Sequence, residues 1–90
     1  MGFGLRYCDF KKKCKSAFRN MEAVEFVKTS HYYVCKIKNR KYYKLLYGIR
    51  SMTADVFEMK GDFNSDVFSI LEVHKPIENS IKTILEKEAQ

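Results

Sequence analysis

Apolar residues follow a helical spacing near the start of the chain. Between residues 10 and 21 they recur at i, i+4, i+7, i+8 and i+11, which is typical of one helix face. They are Phe10, Cys14, Ala17, Phe18 and Met21. Asp9 can cap this helix because its carboxylate can accept backbone N–H bonds. We predict that the helix ends near Asn20, since residues 22–28 are also typical of a short strand; an end at Val27 is the alternative.

The middle of the chain has the composition of β-strands. Residues 31–38 and 42–49 are rich in aromatic and branched side chains, and the polar stretch 39–41 between them is short enough for a hairpin. A three-residue loop leaves one face apolar and the other basic, whereas a two-residue loop mixes the faces. The predicted pairs are Ile37 with Tyr43, Cys35 with Leu45, Tyr33 with Tyr47, Lys38 with Tyr42, Lys36 with Lys44, and Val34 with Leu46.

The last third combines one more strand with helices. Residues 52–60 predict a strand, and Gly61 breaks it. Asn64 or Ser65 can cap a helix from Asp66 to about Val73. Pro76 ends that helix or opens a final one, whose apolar stripe is Ile77, Ile81, Ile84 and Leu85.

The fold class predicted from this order is α+β. We expect one domain over residues 1–90, with an N-terminal helix, a three- to four-stranded antiparallel sheet, and one or two C-terminal helices packed on one sheet face. A monomer is favoured, because so short a chain needs the stripe of its last helix to cover its own sheet. Assembly of a homodimer through that stripe is the alternative.

Charge is distributed unevenly along the 90 residues. The net charge is +6, but residues 1–50 carry 13 Lys and Arg against 3 Asp and Glu, and residues 51–90 have a balance of −4. A basic half attracts polyanions or acidic protein surfaces; mutual attraction of the two halves is the alternative. The 46% of hydrophobic residues argues against disorder. No apolar run reaches the ~20 residues of a membrane span, and the charged start predicts no secretory signal.

The hairpin is the strongest candidate for a binding surface. Its basic face combines lysines, which neutralise phosphates, with tyrosines, which stack on unpaired bases. We predict phosphate contacts from Lys36, Lys38, Arg40, Lys41 and Lys44, and stacking by Tyr32 and Tyr42, beside the apolar Val34 and Leu46. An ordinary half-exposed sheet edge rich in Tyr and Lys is the competing interpretation. A second basic cluster at the predicted start of the first helix, where positive charge opposes the helix dipole, adds Lys11, Lys12 and Lys15 to the candidates.

The cysteines give little support for metal binding or catalysis. An odd count of three predicts free thiols in a reducing compartment, hence the cytoplasm. Cys8, Cys14, His31 and Cys35 could ligate zinc on paper, but His31 and Cys35 would lie about 13 Å apart on one strand. Cys35 with His31 lacks an orienting third group for catalysis. We therefore predict no metal, no cofactor and no enzymatic activity. Arg6 replaces the Ser or Thr of a myristoylation signal, so we predict no membrane anchor.

These observations predict a non-enzymatic basic domain that engages nucleic acid or a nucleoprotein complex through its Lys- and Tyr-rich hairpin. The alternative is a small inhibitor or adaptor that docks on an acidic protein surface or through its C-terminal helix. Residue types with AT-rich codons, such as Lys, Asn, Ile, Tyr and Phe, are frequent, which suits a phage or viral accessory protein. The sequence leaves RNA, DNA and protein partners open.

Overall fold

The computed structural model describes residues 5–21, 24–38, 40–61 and 66–89. It confirms the α+β class. The elements, in chain order, are α1 (Tyr7–Ala17), β1 (Val24–Lys28), β2 (Tyr32–Ile37), β3 (Tyr43–Gly48), β4 (Thr53–Met59), β5 (Phe68–Pro76) and α2 (Ile77–Glu88). Each strand pairs antiparallel with its neighbour in sequence, so the sheet order is β1-β2-β3-β4-β5. The described sheet therefore has five strands, and the predicted three or four was too few.

Helix α1 begins earlier than predicted. Arg6 occupies the N-cap position, so the prediction that Asp9 caps the helix is wrong. Asp9 lies in the first turn, where a carboxylate still favours the helix dipole, 3.4 Å from the Nε of Arg6. The early end is confirmed, because α1 stops at Ala17 and the following chain forms β1. The basic run 11–15 consequently lies in the middle of α1, not at its start.

The predicted hairpin register is confirmed for five of its six pairs. The sixth, Lys38 with Tyr42, is not part of the ladder, because β2 ends at Ile37 and β3 begins at Tyr43, after the left-handed Tyr42. Tyr33 pairs with Tyr47, Cys35 with Leu45 and Lys36 with Lys44. Side chains alternate between the two faces of a strand, so this register separates the apolar side chains of Cys35 and Leu45 from the two lysines. Asn39, in the predicted loop, lies outside the described residues.

The predicted helix from Asp66 to about Val73 is wrong, because this segment enters β5 as an edge strand beside β4. Its Phe-Ser-Ile alternation suits a strand, and pairing with β4 satisfies backbone groups that a short isolated helix would hold weakly. The register shifts on both sides of Val56. One helix, α2, follows directly with Pro76 at its N-cap. The proposed caps Asn64 and Ser65 lie outside the described residues.

Both described helices pack on the same face of the sheet. α1 lies against β1 and β2, and α2 lies against β3, β4 and β5. The stripe of α2 is buried there against its own chain, apart from Leu85, which is 40% exposed. The core joins helix and sheet residues and comprises Phe10, Cys14, Phe18, Tyr33, Cys35, Ile37, Tyr43, Leu45, Tyr47, Ala54, Val56, Ile77, Ile81 and Ile84, with the small polar Ser80 beside them.

Candidate nucleic-acid interface

The sheet face opposite the helices is covered by no described element, and we call it the open face. The strand register defines which residues share it, because side chains on one row of a sheet point the same way. One row crosses all five described strands in the order Glu25, Lys36, Lys44, Phe57 and Ile70. Positive charge and an aromatic ring therefore stand side by side in the middle of this face.

The two lysines of this row lie directly opposite each other on β2 and β3. Like charges in that position cost stability. The Nζ of Lys36 is 3.9 Å from a carboxylate oxygen of Glu25, whereas Lys44 has no ion pair within the described part of the chain. On the next row, Asp55 accepts a hydrogen bond of 2.8 Å from the backbone N–H of His74. Glu25 therefore offsets the charge of Lys36, and Asp55 keeps its negative charge on the next row. The positive charge that remains at the centre of the open face is that of Lys44, beside Phe57.

The tip of the hairpin extends this positive region. Lys38, Arg40 and Lys41 are exposed, and none of them forms an ion pair with another described residue. Tyr42 follows them in a left-handed conformation with φ of 53° and is half-buried. The tip therefore presents three solvated cations, while only part of the Tyr42 ring is available for stacking.

Two other residues predicted for the basic face lie in different surroundings. Val34 is 6% exposed, so the prediction that it is presented to solvent is wrong. It lies between Val27 and Leu46 on one row, and these apolar neighbours cover it. Tyr32 is 41% exposed, but it lies at the end of the sheet away from the tip, in a hollow of about 290 Å³ beside Arg50.

The predicted α1 lysines lie on the opposite side of the molecule from the open face. The Nζ of Lys11 is 5.1 Å from the centroid of the Tyr7 ring, and that of Lys15 is 5.9 Å from the Phe26 ring. Both distances are typical of cation–π contacts. Lys12 is exposed. The structure therefore divides the predicted site residues between two separate basic surfaces.

A groove of about 510 Å³ separates α1 from α2 on the helix side, lined mainly by apolar surface of residues such as Ala17 and Ile81. Lys13 bridges it, with its Nζ 2.6 Å from a carboxylate oxygen of Glu78. This hydrogen bond lowers the pKa of Glu78. The pair is solvent-exposed and ties the two helices together.

Two phenylalanines that the sequence analysis did not select complete the open face. Phe57 is the cross-strand neighbour of Lys44. Its ring centroid lies 4.8 Å from that of Phe68, with the ring planes 83° apart. Phe68 is 49% exposed and Ile70 is 56% exposed. The helix predicted from Asp66 to about Val73 placed Phe68 and Ile70 off the sheet, although the alternation of Phe68, Ser69 and Ile70 is typical of a strand. Phe57 lies in the strand predicted over residues 52–60, for which no pairing or face was predicted.

The structure does not assemble the four candidate zinc ligands. Cys14 and Cys35 are fully buried between α1 and β2, whereas Cys8 and His31 are exposed. A hydrogen bond with Cys14, together with burial, raises the pKa of Cys35, so this thiol is protonated. Across the described ranges, no group of three or more His, Cys, Asp or Glu side chains is placed to hold a metal ion.

Comparison with known proteins gives no match to a family model, to a curated protein sequence or to a solved structure. Among the described residues, neither helix combines the length and the apolar character needed to cross a membrane.

Proposed function

We propose that this chain is a non-enzymatic domain that binds single-stranded nucleic acid through its open face and hairpin tip. The observation that carries the proposal is the row in which Lys36, Lys44 and Phe57 lie side by side on a sheet face that no described element covers. Open sheet faces that combine cations with aromatic rings are a recurrent way of binding single strands.

Charge supports this proposal. Each lysine or arginine that neutralises a phosphate releases counterions, which favours binding. The tip residues Lys38, Arg40 and Lys41 continue the positive region of Lys36 and Lys44 beyond the sheet, so a strand that follows the backbone of β2 and β3 meets five cations. We assign phosphate contacts to these five residues. Tyr32, at the far end, contacts only a ligand long enough to cross the whole face.

The test compares two triple variants that remove the same charge from opposite sides of the molecule. In the first variant Lys36, Lys38 and Lys44 are changed to Ser, and in the second Lys11, Lys12 and Lys15 are changed to Ser. Binding to a fluorescent oligothymidine is measured by anisotropy over a range of salt concentrations. Loss of three phosphate contacts reduces the salt slope by about two to three units.

We expect the first variant to show this reduction and the second to keep nearly the wild-type slope, with both folded by circular dichroism. Equal effects of the two variants would show attraction by net charge without a defined site. Absence of binding by the wild-type protein at low salt would refute the proposed function.

The rival proposal is a protein-binding adaptor or inhibitor that docks on an acidic surface. The cations of the open face and the hairpin tip could also bind an acidic protein surface. Docking through the stripe of α2 is disfavoured, because Ile77, Ile81 and Ile84 are buried within the chain's own core. A capture experiment from cell lysate with and without nuclease separates the two proposals. Partners retained after nuclease treatment would favour the adaptor.

A further inference from the structure

Exposed apolar side chains are concentrated along one edge of the sheet. Of the eight large hydrophobic residues that are exposed in the described part of the chain, four fall between residues 67 and 73: Val67, Phe68, Ile70 and Val73. Two of them, Phe68 and Ile70, lie beside Phe57 on the open face. Apolar surface on β4 and β5 thus adjoins the lysines of β2 and β3.

We propose that Phe57 and Phe68 form a base-stacking site for unpaired nucleobases, while Lys44 binds the adjoining phosphate. This inference rests on the proposed function and gives it a substrate class: strands whose bases are free to stack. It also moves the stacking site from the hairpin tyrosines to β4 and β5.

The arrangement of the two rings suits this role. They meet edge to face, with centroids 4.8 Å apart and planes at 83°, which is a favourable aromatic geometry. Phe57 lies on β4, between β3 and β5, and its ring packs against the ring of Phe68. Phe68 is 49% exposed to solvent. A supported ring with an accessible surface can accept a base without reordering the sheet.

Charge complementarity favours a nucleic acid over a protein as the occupant. Lys44 is the direct cross-strand neighbour of Phe57, and cores of protein interfaces are poor in lysine. Nucleotides present a phosphate and an aromatic base together, and this pair of groups matches the lysine and the ring. In a duplex the faces of the bases are already stacked, so only the phosphates would be recognised.

The experiment separates stacking from charge with three probes of equal length: an oligothymidine of about 12 nucleotides, which lies within the usual range of site sizes, an abasic oligomer and a duplex. We compare wild type with two single variants. Phe68→Leu keeps an apolar side chain but loses the aromatic ring, and Phe68→Tyr retains the ring. Val73→Ser is the matched control, because it removes exposed apolar surface from the same strand. Circular dichroism confirms folding of each variant.

We expect wild type to bind oligothymidine about tenfold more tightly than the abasic oligomer. Phe68→Leu should lose this preference while binding the abasic oligomer and the duplex as wild type does, Phe68→Tyr should keep it, and Val73→Ser should leave it unchanged. Equal binding of oligothymidine and abasic oligomer by wild type would overturn the stacking site and leave the proposed function intact. Absence of binding to all three probes would overturn both.

Sedimentation of the same variants checks the competing use of this apolar edge. If wild type is a dimer and Phe68→Leu or Val73→Ser dissociates it without changing oligonucleotide binding, the edge is a protein interface and the stacking site is refuted.

Discussion

Replacing Ile84 by Ala tests whether α2 is an integral part of the core. Ile84 is fully buried at the interface between α2 and the sheet. The substitution removes three carbon atoms and leaves a cavity that the packed surroundings fill only in part. Ile→Ala changes at such sites cost roughly 2–5 kcal/mol of unfolding free energy. We expect about 3 kcal/mol here, because α2 and the sheet enclose the Ile84 side chain.

That loss is large compared with the total stability of the domain. A chain of this length has a free energy of unfolding of roughly 5–13 kcal/mol. At about 4–8 °C per kcal/mol for a domain of this size, the melting temperature should fall by about 12–24 °C. The variant should still fold, with a lower urea midpoint and an unchanged m-value.

Urea unfolding followed by circular dichroism measures this effect, and Leu85→Ala is the matched control. Leu85 is the next residue of the same helix and is 40% exposed, so its truncation should cost less than about 1 kcal/mol. Equal losses for the two variants would refute the orientation of α2. A loss below about 1 kcal/mol for Ile84→Ala would refute its burial against the sheet.

Three further predictions concern Tyr43 and the cysteines. The Tyr43 hydroxyl is buried near the carboxylate of Glu88 but forms no hydrogen bond of ordinary geometry in the described part of the chain. Tyr43→Phe should therefore leave stability at pH 7 unchanged or raise it by up to about 1 kcal/mol in urea unfolding. Burial, followed by the nearby carboxylates of Glu88 and Glu58, raises the pKa of Tyr43 from 10.0 to about 12. Between these two pH values the folded chain holds a proton that the unfolded chain releases. The free energy of unfolding of the wild type should therefore fall between pH 10 and about 12, and that of Tyr43→Phe should fall less. Purified protein should contain no stoichiometric zinc by elemental analysis, and a chelator should leave its melting temperature unchanged; one zinc per chain would contradict the strand that places Cys35 beside the buried Cys14.

The hairpin was predictable because its faces constrain its register. Moving one strand by one residue would bring Lys36 or Lys44 to the helix side, so the alternation of apolar and basic residues determines which residues share a face. The short polar stretch between the strands then selects the pairing. The same reasoning places Ile81 and Ile84 of α2 on the sheet, because a helical stripe of this kind has to be buried.

The segment that forms β5 carries conflicting local signals. The alternation of Phe68, Ser69 and Ile70 favours a strand, whereas Asn64 and Ser65 before it are typical helix caps. Pairing with β4 decides between them, and the sequence does not show that pairing. Because this segment was predicted to be a helix, Phe68 was not placed on the sheet, and the aromatic part of the open face was missed. Likewise, nothing in the spacing of Lys12 and Lys44 reveals that they lie on opposite sides of the sheet, because that depends on how α1 packs.

The most direct test of the account is the salt dependence of oligothymidine binding by the wild-type protein. Five cations are assigned to phosphate contacts, and each contributes about 0.7 to the salt slope for a single strand. We therefore expect the logarithm of the association constant to fall linearly with the logarithm of salt concentration, with a slope of about −3 to −4. Absence of binding at low salt, or a slope near zero, would contradict the central claim that the open face binds single-stranded nucleic acid.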